Sequence, residues 1–221
     1  MSSEDPVQFS IRFENSQRKY YAEPPSHELD GTVFLRGDIP VLVTAPHATT
    51  HVRIKMTKSY ELYTGALSVT LHSLTGAHAL YTHRMSNIDP NYYDDCPFKE
   101  RLKSIINEQN IRFVIDIHGT GSGRPYDIFP GVGLEKEFLM GREFYLSKLH
   151  ETAQRKKILI GSLDIFPAAK QMTVAKFAAT KLGVPAMQIE INRSLRQPQD
   201  NPTQFEKLVE FLSSYILSIN E

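Results

Sequence analysis

The sequence predicts an α/β domain in which helices are layered on a mostly parallel or mixed sheet. Three observations predict it. Runs with the two-residue alternation of strands are separated by runs with helical spacing. Two of the strand runs have distinct faces. In Phe113–His118, Phe113, Ile115 and Ile117 alternate with Val114, Asp116 and His118; in Ala186–Ile191, Met187, Ile189 and Ile191 alternate with Gln188 and Glu190. The helical runs carry start and stop signals of their own.

In chain order, residues 1–31 are polar and turn-rich around Pro24-Pro25, and read as an irregular arm or a short hairpin. Thr32–Arg36 and Val41–Ala45 are β-rich runs joined by a turn at Gly37-Asp38-Ile39-Pro40. Pro46-His47-Ala48 follows directly. Ser59 is placed to cap a helix over Tyr60–Thr75, with Leu62, Ala66, Val69 and Leu74 on one side. Ala79–His83 reads as a strand, Phe98–Asn110 as a helix, and Leu134–Lys156 as one long helix with Phe138, Tyr145 and Leu149 on a face. Ile158–Phe166 reads as a strand, and Thr173–Leu182 as a helix closed by Gly183. The last helix takes Asn201 as N-cap and Pro202 as its first residue; Phe205, Leu208, Leu212, Tyr215 and Ile219 form its apolar stripe.

A length of 221 residues suits one domain, 1–221, large enough for a self-sufficient core. The 25 basic residues balance the 25 acidic ones, which argues against a nucleic-acid partner. No apolar run approaches the ~18 residues of a membrane span. The first residues lack a signal-peptide pattern, so a cytoplasmic location is expected. The single cysteine, Cys96, excludes an internal disulfide. Nothing in the sequence fixes an oligomeric state.

Three predicted strand ends carry the chemistry, and in α/β sheets sites lie at the carboxyl ends of strands. One run ends at Pro46-His47, one at His118-Gly119, and one carries Glu190. Burying such groups bare costs several kcal/mol each, unless they are paired or bind a metal. Two histidines and a carboxylate are a common zinc set that leaves a fourth position for water. His47 and His118 are the candidate ligands, with Glu61, at the predicted helix start, as the third; His51 is the alternative ligand. Glu190 is the candidate acid–base group. Asp116 shares a strand face with His118 and can orient it from behind. His27, His72, His78 and His150 are assigned ordinary structural roles. Gly119-Thr120-Gly121-Ser122-Gly123 lacks the Gly-Lys-Ser/Thr ending of a phosphate loop, and Ser122 is not in a nucleophile elbow.

With these residues in view, the chain resembles the N-formylglutamate amidohydrolase family, within the zinc carboxypeptidase and succinylglutamate desuccinylase-like superfamily. The likeness runs from about residue 40 to 197. It rests on Val-Thr-Ala-Pro-His-Ala (43–48), Glu-Leu-Tyr-Thr-Gly (61–65), Asp-Ile-His-Gly (116–119) and Gln-Ile-Glu-Ile-Asn-Arg-Ser-Leu-Arg (188–196). The resemblance implies a three-layer α/β/α, zinc-carboxypeptidase-like fold. It implies one zinc ion held by His47, Glu61 and His118, with Glu190 transferring protons, and places Arg193 and Arg196 at the site rim. Where the family has an Asn-Arg pair for a substrate carboxylate, this chain has Asn91-Tyr92. Arg84, Asn91 and Arg124 are therefore the candidates for holding polar groups of the substrate. The expected activity is hydrolysis of the amide of a small N-formyl or N-acyl amino acid. A carboxypeptidase-like action on short peptides, or metal or ligand binding without catalysis, are the alternatives.

Overall fold

The structure, a computed structural model, describes residues 5–25 and 31–220. Its strands are β1 (Thr32–Leu35), β2 (Ile39–Ala45), β3 (His51–Arg53), β4 (Met56–Lys58), β5 (Ala77–Thr82), β6 (Phe113–Thr120), β7 (Ile128–Gly131) and β8 (Ala186–Asn192). Its α-helices are α1 (Pro6–Gln17), α2 (Thr64–Thr75), α3 (Pro97–Gln109), α4 (Phe144–Lys156), α5 (Val174–Leu182), α6 (Arg193–Arg196) and α7 (Pro202–Ser218).

Six strands form one sheet in the order β1-β5-β2-β6-β8-β7. The four central strands are parallel, and the edge strands β1 and β7 run antiparallel to their neighbours. The sheet is thus mixed but mostly parallel, as expected. One face, with Val43, Phe113, Ile115, Ile117, Met187 and Ile189, is buried under residues of α2, α4 and α7. The other, with Leu42, Val114 and Ala186, is buried under α3 and α5. These are the three layers.

On the α3–α5 side the register sets side chains in rows across β2, β6 and β8. Leu42, Val114 and Ala186 form an apolar row; Thr44, Asp116 and Gln188 form the next; His118 and Glu190 follow. Moving toward the carboxyl ends, the face therefore changes from core to polar site within about 7 Å per two residues.

Several elements differ from the sequence reading. The stretch read as an irregular arm contains α1, started by Asp5 as N-cap and Pro6 in the first turn. Its buried positions Val7, Ser10 and Glu14 include two polar residues, so no apolar stripe marks it. The part of that arm at 26–30, with His27, lies outside the described residues. Helix α2 begins at Thr64 rather than Tyr60, and Leu74 is exposed. Of Leu134–Lys156 only α4 is α-helical, because Lys136, Met140 and Gly141 adopt positive φ. Ile158–Phe166 makes only an isolated bridge from Ile160 to Ile128; the strand at this edge is β7. The turn at Gly37–Pro40 does not close a hairpin: β5 lies between β1 and β2. The two-stranded β3–β4 hairpin was not anticipated.

Glu14 is fully buried, and burial pushes its carboxyl from an ordinary 4.5 up to about 7, against the lowering effect of the Tyr21 hydroxyl. The folded protein therefore holds this proton above the pH at which the unfolded chain releases it. Stability from this group is complete below about pH 4.5 and falls as pH rises toward 7. Glu14→Gln should flatten that dependence, by about 3 kcal/mol between pH 4.5 and pH 8. Chemical denaturation of both proteins across this range is the check; parallel curves would contradict it.

Candidate functional site

His47 lies just after β2, His118 and Asp116 in β6, and Gln188 and Glu190 in β8. Glu61 lies in the turn before α2, tied back by its own N–H to the His47 carbonyl (2.9 Å). The Glu61 carboxylate reaches both rings: Oε1 is 3.0 Å from His47 Nδ1, and Oε2 is 3.1 Å from His118 Nδ1. Gly119 N–H donates to Oε2 at 2.8 Å.

The outer ring nitrogens face carboxylates. His47 Nε2 is 2.8 Å from Asp89 Oδ1, and His118 Nε2 is 3.2 Å from Asp116 Oδ2. An ionised carboxylate only accepts, so these contacts call for a proton on each outer nitrogen, although the Asn91 amide competes for the outer nitrogen of His118. Asp116 is fixed in turn by the Thr44 hydroxyl, which donates to Oδ1 at 2.7 Å. Each Nδ1 is left with a lone pair aimed at Glu61. Acceptors at this separation need positive charge between them, either extra protons or a metal cation. The charge balance shows the same demand: burial alone would lower both histidine pKa values, but Glu61 together with Asp89 behind His47 and Asp116 behind His118 outweighs it, and both are raised. Burial alone would raise Glu61, but His118 and His47 hold it well below the carboxylate range. Two imidazole Nδ1 atoms and one carboxylate within 4.8 Å of one another fit zinc with a position to spare.

His51 is not part of this trio. Its ring stacks on His47 with centroids 4.0 Å apart, and its Nδ1 donates to the Thr49 carbonyl. His47, His51 and Asp89 also lie close enough to hold an ion. That set would use the outer nitrogen of His47, and its Asp89 already accepts from Arg53 Nε at 2.5 Å.

A cavity of about 400 Å³ opens over the trio, within the usual range for a small-molecule site. Its walls include Arg53 from β3, Asn91, Glu190, and the loop from Ile165 to Thr173. Glu190 stands beside His118 in the β6–β8 register, and Gln188 Nε2 donates to its Oε1 at 3.1 Å. Burial pushes Glu190 up to about 7, with His118 lowering it and Glu61 raising it.

Of the residues expected at the site, His47, Glu61, His118, Asp116, Asn91 and Glu190 come together. Asn91 Oδ1 accepts from Val174 N–H at 2.7 Å, and its Nδ2 lies 2.7 Å from His118 Nε2. That contact sets two donors together when Nε2 is protonated; Gln188 Oε1, 3.4 Å away, is the acceptor open to the amide. Three arginines do not join. Arg84 pairs with Glu23 at 2.8 Å and lines a different cavity. Arg124 donates to Thr120 and lies over the Phe166 ring, and it does not line the cavity. Arg193 bonds to Gln197. Arg53 lines the cavity and was missed, as was Asp89. Arg53 sits in a hairpin too short to show a strand period. Asp89 lies in the Asn-Ile-Asp-Pro-Asn segment, whose turn-like composition hides a buried acid.

The chain is similar in structure to an Agrobacterium tumefaciens gene product, with a TM-score of 0.62 and 15% identity over 86% of this chain and 96% of that one. It is also similar to a bacteriophage poly-gamma-glutamate hydrolase, with a TM-score of 0.53 and 16% identity over 94% and 93% of the two chains. A third similar structure is the succinylglutamate desuccinylase of Chromobacterium violaceum, with a TM-score of 0.53 and 14% identity over 98% of this chain and 78% of that one. At these identities the likeness is one of fold, and the fold is of the zinc-carboxypeptidase type. No family model and no curated protein matches the sequence.

Asp89 orients His47 through its outer nitrogen without touching the Nδ1 side. Asp89→Ala should therefore weaken zinc binding about 10–100-fold. Competition against a chelator measures this; wild-type affinity in the variant would remove Asp89 from the site.

Proposed function

We propose that the chain is a zinc-dependent amidohydrolase that cleaves the amide of a small N-formyl or N-acyl amino acid. One observation carries this reading. His47, Glu61 and His118 form an open-sided ligand set on the floor of a small cavity, with Glu190 beside it. A site built for storage or structure has no use for a carboxyl group held near the ligands without being one of them.

When bound, zinc would polarise a carbonyl oxygen and lower the pKa of a water molecule. The rest is done by side chains of this chain. Glu190 Oε1 is held by Gln188, which leaves Oε2 as the atom that takes a proton from water and returns it to the departing nitrogen. Arg53 supplies the cation for a substrate carboxylate. Its Nε is tied to Asp89, and among the described residues its terminal nitrogens hydrogen-bond to no protein group. Its guanidinium lies over the Tyr92 ring, 5.4 Å from the centroid. This puts a charged fork beside the segment where the resembled family has its Asn-Arg pair. The cavity volume suits an amino acid with a short acyl group. Two similar structures are named as a poly-gamma-glutamate hydrolase and a succinylglutamate desuccinylase, so γ-glutamyl and N-succinyl compounds belong in the substrate panel with formyl and acetyl ones.

Purified protein should carry about one zinc per chain, lost in His118→Ala. Glu190→Gln should keep the zinc and lose turnover by about 100-fold or more. Elemental analysis together with amine release from the panel reads both, and unchanged turnover in Glu190→Gln would remove its role.

Arg53→Gln should lower kcat/KM about 10–100-fold for N-acyl amino acids but not for their carboxamide analogues. Equal losses on both would show that Arg53 does not read the carboxylate.

A further inference from the structure

Glu61 sits at the first position of a turn, Glu61-Leu62-Tyr63-Thr64. The Thr64 N–H donates to the Glu61 carbonyl at 3.2 Å, and the Thr64 hydroxyl donates there too. Tyr63, at the third position, has φ 64° and ψ 3°. Positive φ at that position alone defines a type II turn, which ordinarily takes Gly or Asn. A tyrosine there costs about 1–2 kcal/mol. Flipping the Leu62–Tyr63 peptide would give a type I turn, return Tyr63 to negative φ and relieve that cost.

Both polar atoms of this peptide are held by buried side chains from opposite directions in the sequence. The Leu62 carbonyl accepts from Arg196 of α6. The Tyr63 N–H donates to Glu14 Oε2 of α1 at 3.3 Å. Glu14 is itself fixed by the Tyr21 hydroxyl at 3.0 Å. In the flipped peptide an N–H would face the guanidinium, donor against donor, and the Tyr63 N–H that Glu14 Oε2 now accepts from would be turned away. Arg196 can lie there because residue 119 is glycine: a Cβ on Gly119 would collide with the guanidinium. Gly119 is also the residue whose N–H holds Glu61 Oε2.

We infer that Glu14 and Arg196 are positioning residues, which grip the Leu62–Tyr63 peptide from both ends and thereby aim Glu61 at His47 and His118. As far as it concerns zinc, this rests on the proposed function; the grip on the peptide does not. It gives Arg196, the last residue of the Asn-Arg-Ser-Leu-Arg segment, a place beneath the ligand turn rather than at a substrate. It also gives the glycine of Asp-Ile-His-Gly a reason that is steric and not conformational.

The test uses Arg196→Met, which keeps the length and removes the donors, beside Arg196→Lys, which keeps one cationic donor. Hydrogen exchange at the Tyr63 amide is followed in metal-free protein, and zinc affinity by chelator competition. In Arg196→Met we expect Tyr63 exchange to rise about tenfold or more, and zinc affinity to fall about tenfold or more. Arg196→Lys should lie between Arg196→Met and wild type in both. Wild-type protection of Tyr63 in folded Arg196→Met overturns the inference. If Arg196→Met does not fold, Glu14→Leu removes the grip from the other end, and unchanged Tyr63 exchange there overturns it equally. A wild-type protein that binds no zinc defeats the proposed function but leaves the Tyr63 measurement decisive for the grip.

Discussion

Two imidazole lone pairs and a carboxylate, all aimed at one point and shut away from most of the solvent, are the constraint on which the rest of the site depends. Such groups repel unless positive charge lies between them. Among the described residues no Lys or Arg side chain hydrogen-bonds to this trio: Arg53 bonds to Asp89, and Arg196 to the Leu62 carbonyl. What the chain supplies is a set of acceptors behind the rings, Asp89 and Asp116, that keep the outer nitrogens protonated and both Nδ1 atoms pointing inward. This is an arrangement for receiving a cation from solution.

The sheet makes the convergence possible. Parallel pairing of β2, β6 and β8 brings three carboxyl ends to one edge, and the register places Thr44 beside Asp116 and His118 beside Glu190. A one-residue slip of β8 would exchange Glu190 for a core isoleucine. The apolar row of Leu42, Val114 and Ala186 holds that register by packing under α3 and α5. Core and site are successive rungs of the same ladder, so site geometry is inherited from hydrophobic packing.

This explains which parts could be read from the sequence. Strand periodicity is local, and it correctly put Asp116, His118, Gln188 and Glu190 on a face distinct from Phe113, Ile115 and Ile117. Glu61 was found, but as part of a first helical turn; the positive φ of Tyr63 delays α2 to Thr64, and no propensity predicts a left-handed tyrosine. Helix α1 was missed because Ser10 and Glu14 occupy its buried face, hydrogen-bonded to Thr70 far along the chain and to Tyr21 just beyond the helix. The arginines were the least readable. Their long side chains reach wherever the loops direct them, so Arg84 engages Glu23 and Arg124 lies over Phe166, while Arg53, from an unpredicted hairpin, lines the cavity.

Backbone strain follows the same division. Among the described residues, Asn110 and Lys157 have positive φ just past α3 and α4, where a left-handed residue is an ordinary cap, and Lys136 and Met140 flank the 3-10 turn at Glu137–Leu139. The other non-glycine cases are Ile54, Lys55, Tyr63 and Ala168. Ile54 and Lys55 form the tip of the hairpin that delivers Arg53, and a β-branched residue is poorly suited to such a turn. Ile54 is held there by its N–H bond to the Tyr93 hydroxyl at 3.1 Å. Tyr63 adjoins the ligand turn, and Ala168 lies in the cavity wall. Each costs of order 1–3 kcal/mol and persists only where its surroundings over-determine it. Ala168 lines the cavity, and Ile54, Lys55 and Tyr63 each lie within two residues of Arg53 or Glu61, which line it, so these left-handed turns are the ones that carry cavity residues.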